Sequence, residues 1–179
     1  MNVVDAWPWL ALGTLPLAAA TGRLVIERRA ASEPLSPPWQ AQAWDATRDA
    51  VLCAALFVLL GPPVGTLALW LALLIFAEGS GVPAQEALQA GLLMLPFGWI
   101  FGGVQAAVAG MVAGLLRPLG GGLLAHALVL AAALVASICV AFVLGIADAR
   151  GGAGVARVLM LPALVATPVC MWALHRRRG

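Results

Sequence analysis

Lysine and tyrosine do not occur in this chain, histidine occurs twice, and only 10% of its residues are charged. A soluble domain carries about 25% charged residues, so water is not the solvent for most of this surface. The basic residues are all arginine, and the formal net charge is only +2. That excess is too small for nucleic acid, whose partners present a clustered basic face. Cysteine is sparse as well. Cys53, Cys139 and Cys170 are far apart in sequence and each lies in apolar surroundings, so neither a disulfide framework nor a C-x-x-C site is indicated. Such thiols act as small buried hydrophobes. The missing Lys and Tyr, beside abundant Ala, Gly and Leu, fit the codon bias of a GC-rich bacterium.

Charge is absent above all from four stretches. Residues 50–77, 87–116 and 118–147 contain no Asp, Glu, Lys or Arg, and residues 158–174 are shorter but equally clean. A bilayer's hydrocarbon layer, about 30 Å thick, is crossed by roughly 20 apolar residues at helical rise. Hydrocarbon offers no partner to backbone N–H and C=O groups, so segments of this length must be helices. With 63% hydrophobic residues and a mean hydropathy of +0.99, the chain reads as an integral membrane protein. The expected fold class is all-α, a polytopic helical bundle with four transmembrane helices and room for a fifth at the N-terminus. The lipid bilayer is its first partner.

Residues 1–49 form a separate N-terminal segment ahead of the bundle at 50–179. Residues 6–22 are apolar but interrupted by Pro8 and Pro16, contain Gly13 and Thr14, and end at Arg23. A secretory signal opens with a basic n-region; here the only early charge is Asp5. A fifth crossing and a shallow interfacial segment are the readings that the borderline length leaves open. The polar stretch 27–49 holds Pro34, Pro37 and Pro38, which rule out a continuous helix through its middle. From Trp39 a short amphipathic approach follows, with Trp44 and Arg48 suited to the headgroup layer.

With four crossings, Arg23, Arg28, Arg29, Arg48, Arg117 and Arg176-Arg177-Arg178 share one side, against Arg150 and Arg157 on the other. The positive-inside rule puts the larger group in the cytoplasm. The expected location is a bacterial inner membrane, multi-pass, with a cytoplasmic C-terminus.

Small residues recur inside the crossings. Gly98, Gly102, Ala106, Gly110 and Gly114 follow one another at intervals of four, and Ala133, Ser137, Ala141 and Gly145 repeat the spacing in the third crossing. Such rows let helix backbones approach closely where lipid supplies no hydrophobic drive. Arg117-Pro118 and the glycines at 120–122 join the two crossings, so the rows are expected to face each other. Part of the first row is also suited to a homo-oligomer or a larger membrane partner. Prolines break the crossings at Pro62, Pro63, Pro96, Pro162 and Pro168. Broken helices in corresponding halves mark substrate sites in transporters, which makes Pro62, Pro63, Thr66, Pro96 and Gln105 a candidate pathway. The simpler reading is a kink whose freed carbonyl is satisfied by a neighbouring helix. One hint of duplication exists: Leu93-Met94-Leu95-Pro96 recurs as Leu159-Met160-Leu161-Pro162.

Reactive chemistry is hard to assemble. An intramembrane charge is a functional signal by default, and the four main crossings hold none. Ser80 in Glu78-Gly79-Ser80-Gly81 and His126 would lie on opposite sides of the bilayer, beyond the roughly 3 Å that a general base must reach. His126 is expected at a helix end facing Arg117 or the headgroups, with His175 in the same surface cluster. Glu78, Glu86, Asp148, Arg150 and Arg157 are expected to be solvated charges on the outer side. No ligand set for a metal and no phosphate-cradling loop is present, so no cofactor is expected.

The reading is therefore a non-catalytic multi-pass protein, structural or accessory, that packs through its small-residue faces. The competing reading is a small transporter or channel for an uncharged or weakly polar solute. Reporter fusions test the crossings directly: a reporter at residue 179 should report the cytoplasm, and one at residue 3 the periplasm if residues 6–22 cross.

Overall fold

The computed structural model describes residues 3–30, 39–77, 84–119, 122–143 and 152–176. These form α1 (Val3–Ala30), α2 (Trp39–Ala77), α3 (Ala84–Leu115), α4 (Leu123–Val143) and α5 (Gly152–Arg176), with a 3-10 turn at Arg117–Leu119 before α4. The fold is an all-α bundle, and no strand occurs among the described residues. Among the described residues, three helices are long and apolar enough to span a bilayer: Ala6–Glu27 of α1, Gln42–Ala72 of α2, and α4. A fourth joins them if Gly91–Ile100 and Gly102–Leu115 of α3 are one bent span. The weak apolar segment at 6–22 is thus part of a 28-residue helix, despite Pro8 and Pro16. Gly145, Ser80, Glu78, Asp148 and Arg150 lie outside the described residues.

The amphipathic approach is not separate from the first crossing. Helix α2 runs continuously from Trp39 through Pro62 and Pro63 to Ala77, so residues 39–49 share one helix with the first long apolar run. The reason is local. The apolar run starting at Ala50 already nucleates a helix, and extending it backwards adds one backbone bond per residue fixed.

Four helices form a ring. Its contacts run α2 to α3, α3 to α4, α4 to α5 and α5 back to α2, while α1 packs outside against α3 and α4. The most extensive contact, α2 with α3, is made by the glycine row. A Cβ placed on Gly110 would stand 2.5 Å from Ala54 Cα and 2.7 Å from the Cys53 carbonyl, and one on Gly114 would stand 2.6 Å from Ala50 Cα. A Cβ on Gly98 would collide with Thr66, and Gly102 lies over Pro62. The pairs 98 with 66, 102 with 62, 110 with 54 and 114 with 50 keep one antiparallel register, a step of four on α3 matching a step of four on α2. On a straight helix four such steps rotate the row by about 160°. Helix α3 instead bends by 53° between Ile100 and Gly102, where the Gly102-Gly103 pair weakens the helix.

The expected pairing of the α3 row with the α4 row is therefore corrected: α3 turns its glycines to α2. A short connection makes α3 and α4 neighbours but does not choose which faces meet. Helix α2 supplies the better complement, because Ala50, Ala54 and Gly61 allow backbone-to-backbone contact. On α4, Ala133, Ser137 and Ala141 are all buried, with Ser137 bonded to Gln105 of α3.

One end of the bundle gathers the charges. Arg23 of α1 is only 6% exposed. It donates to Glu27 at 2.7 Å, to Asp49 of α2 at 3.5 Å and to the Gly114 carbonyl of α3 at 3.4 Å, while Arg117 pairs with the other Asp49 oxygen. Two arginines and two carboxylates thus balance, and the cation sits at the C-terminal end of α3, where the helix dipole favours it. Arg48 is exposed, whereas Arg23 is buried and pins α1 to the ring.

Substituting Gly110 or Gly114 by Ala should force backbone apart and cost about 1–3 kcal/mol. Gly103, whose Cβ would meet nothing within 4 Å, should accept Ala unchanged or with a slight gain. Thermal unfolding of the three variants in one detergent checks this; equal melting temperatures would refute the register.

A central lumen as candidate functional site

The four helices surround a lumen of about 440 Å³ that is open to the outside over part of its boundary. It forms because adjacent helices touch all round while α3 and α5, across the ring, barely meet. Its floor is Phe57, Ala109 and Cys170; Phe57 is only 2% exposed and Cys170 fully buried. Phe57 lies about 12 Å along α2 from Asp49, at a rise of 1.5 Å per residue, so the lumen starts well inside the charged end. From there it runs to Leu69 and Phe97. Gly61 and Gly65 line it on α2, Gly65 packed closely against Pro162, and Pro162 and Ala163 line it on α5.

Three hydrogen-bonding side chains reach the lumen, Thr66, Gln105 and Thr167, and each is less than a tenth exposed. Among the described residues no Asp, Glu, Lys, Arg or His contributes to its lining. The Gln105 amide is held by Ser137, whose hydroxyl has one proton and two acceptors in reach, the Ala133 carbonyl at 2.8 Å and Gln105 Oε1 at 3.0 Å. This contact joins α3 to α4 and orients the amide. A glutamine offers both donor and acceptor, and a threonine hydroxyl does the same. The surroundings can therefore bind a hydroxyl or carbonyl but cannot offset a buried charge.

The candidate pathway divides. Pro62, Thr66 and Gln105 line the lumen together; Pro63 and Pro96 are not among its lining residues, and Pro96 is exposed on the outside of the bundle. Pro162 lines the lumen, so the repeated Leu-Met-Leu-Pro places its two prolines in unlike surroundings and gains no support as a duplication. Thr167 was missed by the sequence reading. The one available signal was a lone hydroxyl before Pro168 in an otherwise apolar run.

The break at Pro62 is repaired from next door. Proline lacks the N–H that would bond the carbonyl four residues earlier, here Val58. Trp99 of α3 donates its indole N–H to that carbonyl at 3.0 Å. The bond missing at Pro62 is thus supplied by a neighbouring helix, and Trp99 ties α2 to α3 at the level of the lumen.

At the charged end His126 and His175 stack with ring centroids 5.3 Å apart. Each ring's Nδ1 lies near a carbonyl one turn back, Gly122 at 3.1 Å and Met171 at 2.9 Å. His126 and His175 thus share one cluster at this end, because α4 begins where α5 ends. Among the described residues no group of three or more His, Cys, Asp or Glu is placed to hold a metal ion. No protein-family model, curated protein or solved structure matches this chain.

Replacing Trp99 by Phe keeps the apolar contact and strands the Val58 carbonyl away from water. A loss of about 1–2 kcal/mol is expected, seen as a lower melting temperature than that of a control substitution at exposed Leu59. An unchanged melting temperature would remove Trp99 as the partner of the break.

Proposed function

We propose that this protein is a non-catalytic carrier of the bacterial inner membrane, multi-pass with a cytoplasmic C-terminus, that holds a small uncharged solute inside the α2–α5 ring. The observation that carries the reading is the lumen itself. It has a volume of about 440 Å³, apolar walls, three inward hydrogen-bonding side chains and no charge. Its volume lies within the roughly 300–1,000 Å³ of small-molecule sites, which are mostly apolar with a few placed polar groups. A fitting solute is largely apolar and carries one hydroxyl or carbonyl. Anions and cations are disfavoured, since a charge buried without a partner costs far more than a hydrogen bond returns. The arginine asymmetry supports the orientation.

Docking onto a second copy or a larger membrane partner through small-residue rows has less support. The α3 row is occupied by α2, and α4 commits Ser137 to Gln105.

Binding is tested by thermal titration of the purified protein with 1-naphthol, a neutral bicycle with one hydroxyl. A saturable rise in melting temperature is expected, worth about 2.7 kcal/mol at a hundredfold excess over Kd, with no rise from 1-naphthalenesulfonate. Gln105→Leu and Thr66→Val should each weaken binding about 3- to 10-fold, the equivalent of one neutral hydrogen bond. A protein indifferent to 1-naphthol, or equally responsive to the sulfonate, would end this reading.

A further inference from the structure

A second, smaller cavity of about 230 Å³ lies in the seam between α4 and α5, lined by Leu123, His126, Ala127, Leu130, Pro168 and their neighbours. Its outer wall belongs to the lipid face of the bundle: Leu123 is 89% exposed, and Ala127 and Pro168 are exposed as well. Its inner wall is Thr167, which also lines the lumen. Thr167 is thus common to the central lumen and to a cleft on the exposed face of the bundle at the arginine-bearing end.

We propose that this cleft is the portal by which an uncharged, largely apolar solute passes between the adjoining lipid leaflet and the lumen, with Thr167 as the partition. The proposal rests on the solute reading given above for the nature of the cargo. Three physical points carry it. A solute of that class concentrates in hydrocarbon rather than in water, so its natural approach is sideways from lipid. The direct way from the charged end is closed by Phe57 and by the buried Val112, Val129 and Met171. Among the described residues the seam is lined by no Asp, Glu or Arg; His126 sits at its rim, with its Nδ1 against the Gly122 carbonyl. Thr167 adds a hydroxyl at the partition, where a passing hydroxyl or carbonyl can exchange one hydrogen bond for another before reaching Gln105 or Thr66.

Cys170 on the lumen floor reports passage. The full chain in lipid nanodiscs is treated with N-ethylmaleimide, an uncharged reagent, and modification of the Cys170 peptide is followed by mass spectrometry. Ala127→Trp fills the portal without touching the lumen and should slow modification at least tenfold, while Leu164→Trp, on α5 but lining neither cavity, should leave the rate unchanged. Thr167→Ala thins the partition and should raise the rate several-fold. If Ala127→Trp does not fold, Leu130→Phe replaces it, with the same slowing expected. Modification at the wild-type rate in the filled variant overturns the portal, as does a Cys170 that stays unmodified in the wild type. The 1-naphthol titration separates the two readings. Naphthol binding with unslowed modification refutes the portal alone, whereas slowed modification without naphthol binding supports an opening and refutes the cargo.

Discussion

The close approach of α2 and α3 is the contact on which the rest of the bundle depends. In lipid, helices gain nothing from hiding apolar surface from one another, and association rests on packing and on interhelical hydrogen bonds. Two four-residue rows meet here in one register, and at Gly110 and Gly114 the space left for a side chain is too small for even one carbon. That intimacy positions the break at Pro62 against Trp99 and holds Thr66 beside Gly98. It also commits α3 so fully to α2 that its remaining faces must serve α4 and α1. The lumen follows from this allocation: four helices pair edge to edge, and small residues such as Ala106, Ala109, Ala133 and Ala163 face one another at the centre.

Polar groups work differently at the two levels of the bundle. At the charged end Arg23, Glu27, Asp49 and Arg117 neutralise one another and tie three helices at a point where α1 would otherwise hold only by apolar contact. Opposition of charges in such a setting specifies an arrangement more than it adds net stability, since desolvation offsets much of the attraction. Further in, the hydrogen-bonding side chains among the described residues are uncharged, and Ser137 with Gln105 forms a bond between α3 and α4. The change from ions to hydroxyls and amides follows the falling tolerance of the interior for charge.

The membrane character, the helical class and the run of apolar segments were legible because they depend on composition and length, which hydrocarbon constrains one residue at a time. The row at Gly98 to Gly114 was legible as a packing face for the same reason: spacing is written along the chain. Its partner was not. A row states that some backbone comes close, and the choice between α2 and α4 turns on which neighbour offers small residues in matching register. Gln105 and Thr66 stood out as polar residues in apolar surroundings, but their convergence with Thr167 on one lumen depends on how helices far apart in sequence are rotated. Arg23 was read as an orientation signal, because its burial requires Asp49 and the end of α3, partners 26 and 91 residues away.

What the chain alone determined is what local physics can decide: which segments must be helices, that lipid surrounds them, and where backbones can touch. What only the tertiary structure decided is which faces meet, how the proline break is satisfied, and that an uncharged lumen lies at the centre. Those outcomes depend on the rotation and register of whole helices about one another. That rotation is set by the sum of many contacts between distant residues, and no single stretch of sequence encodes it.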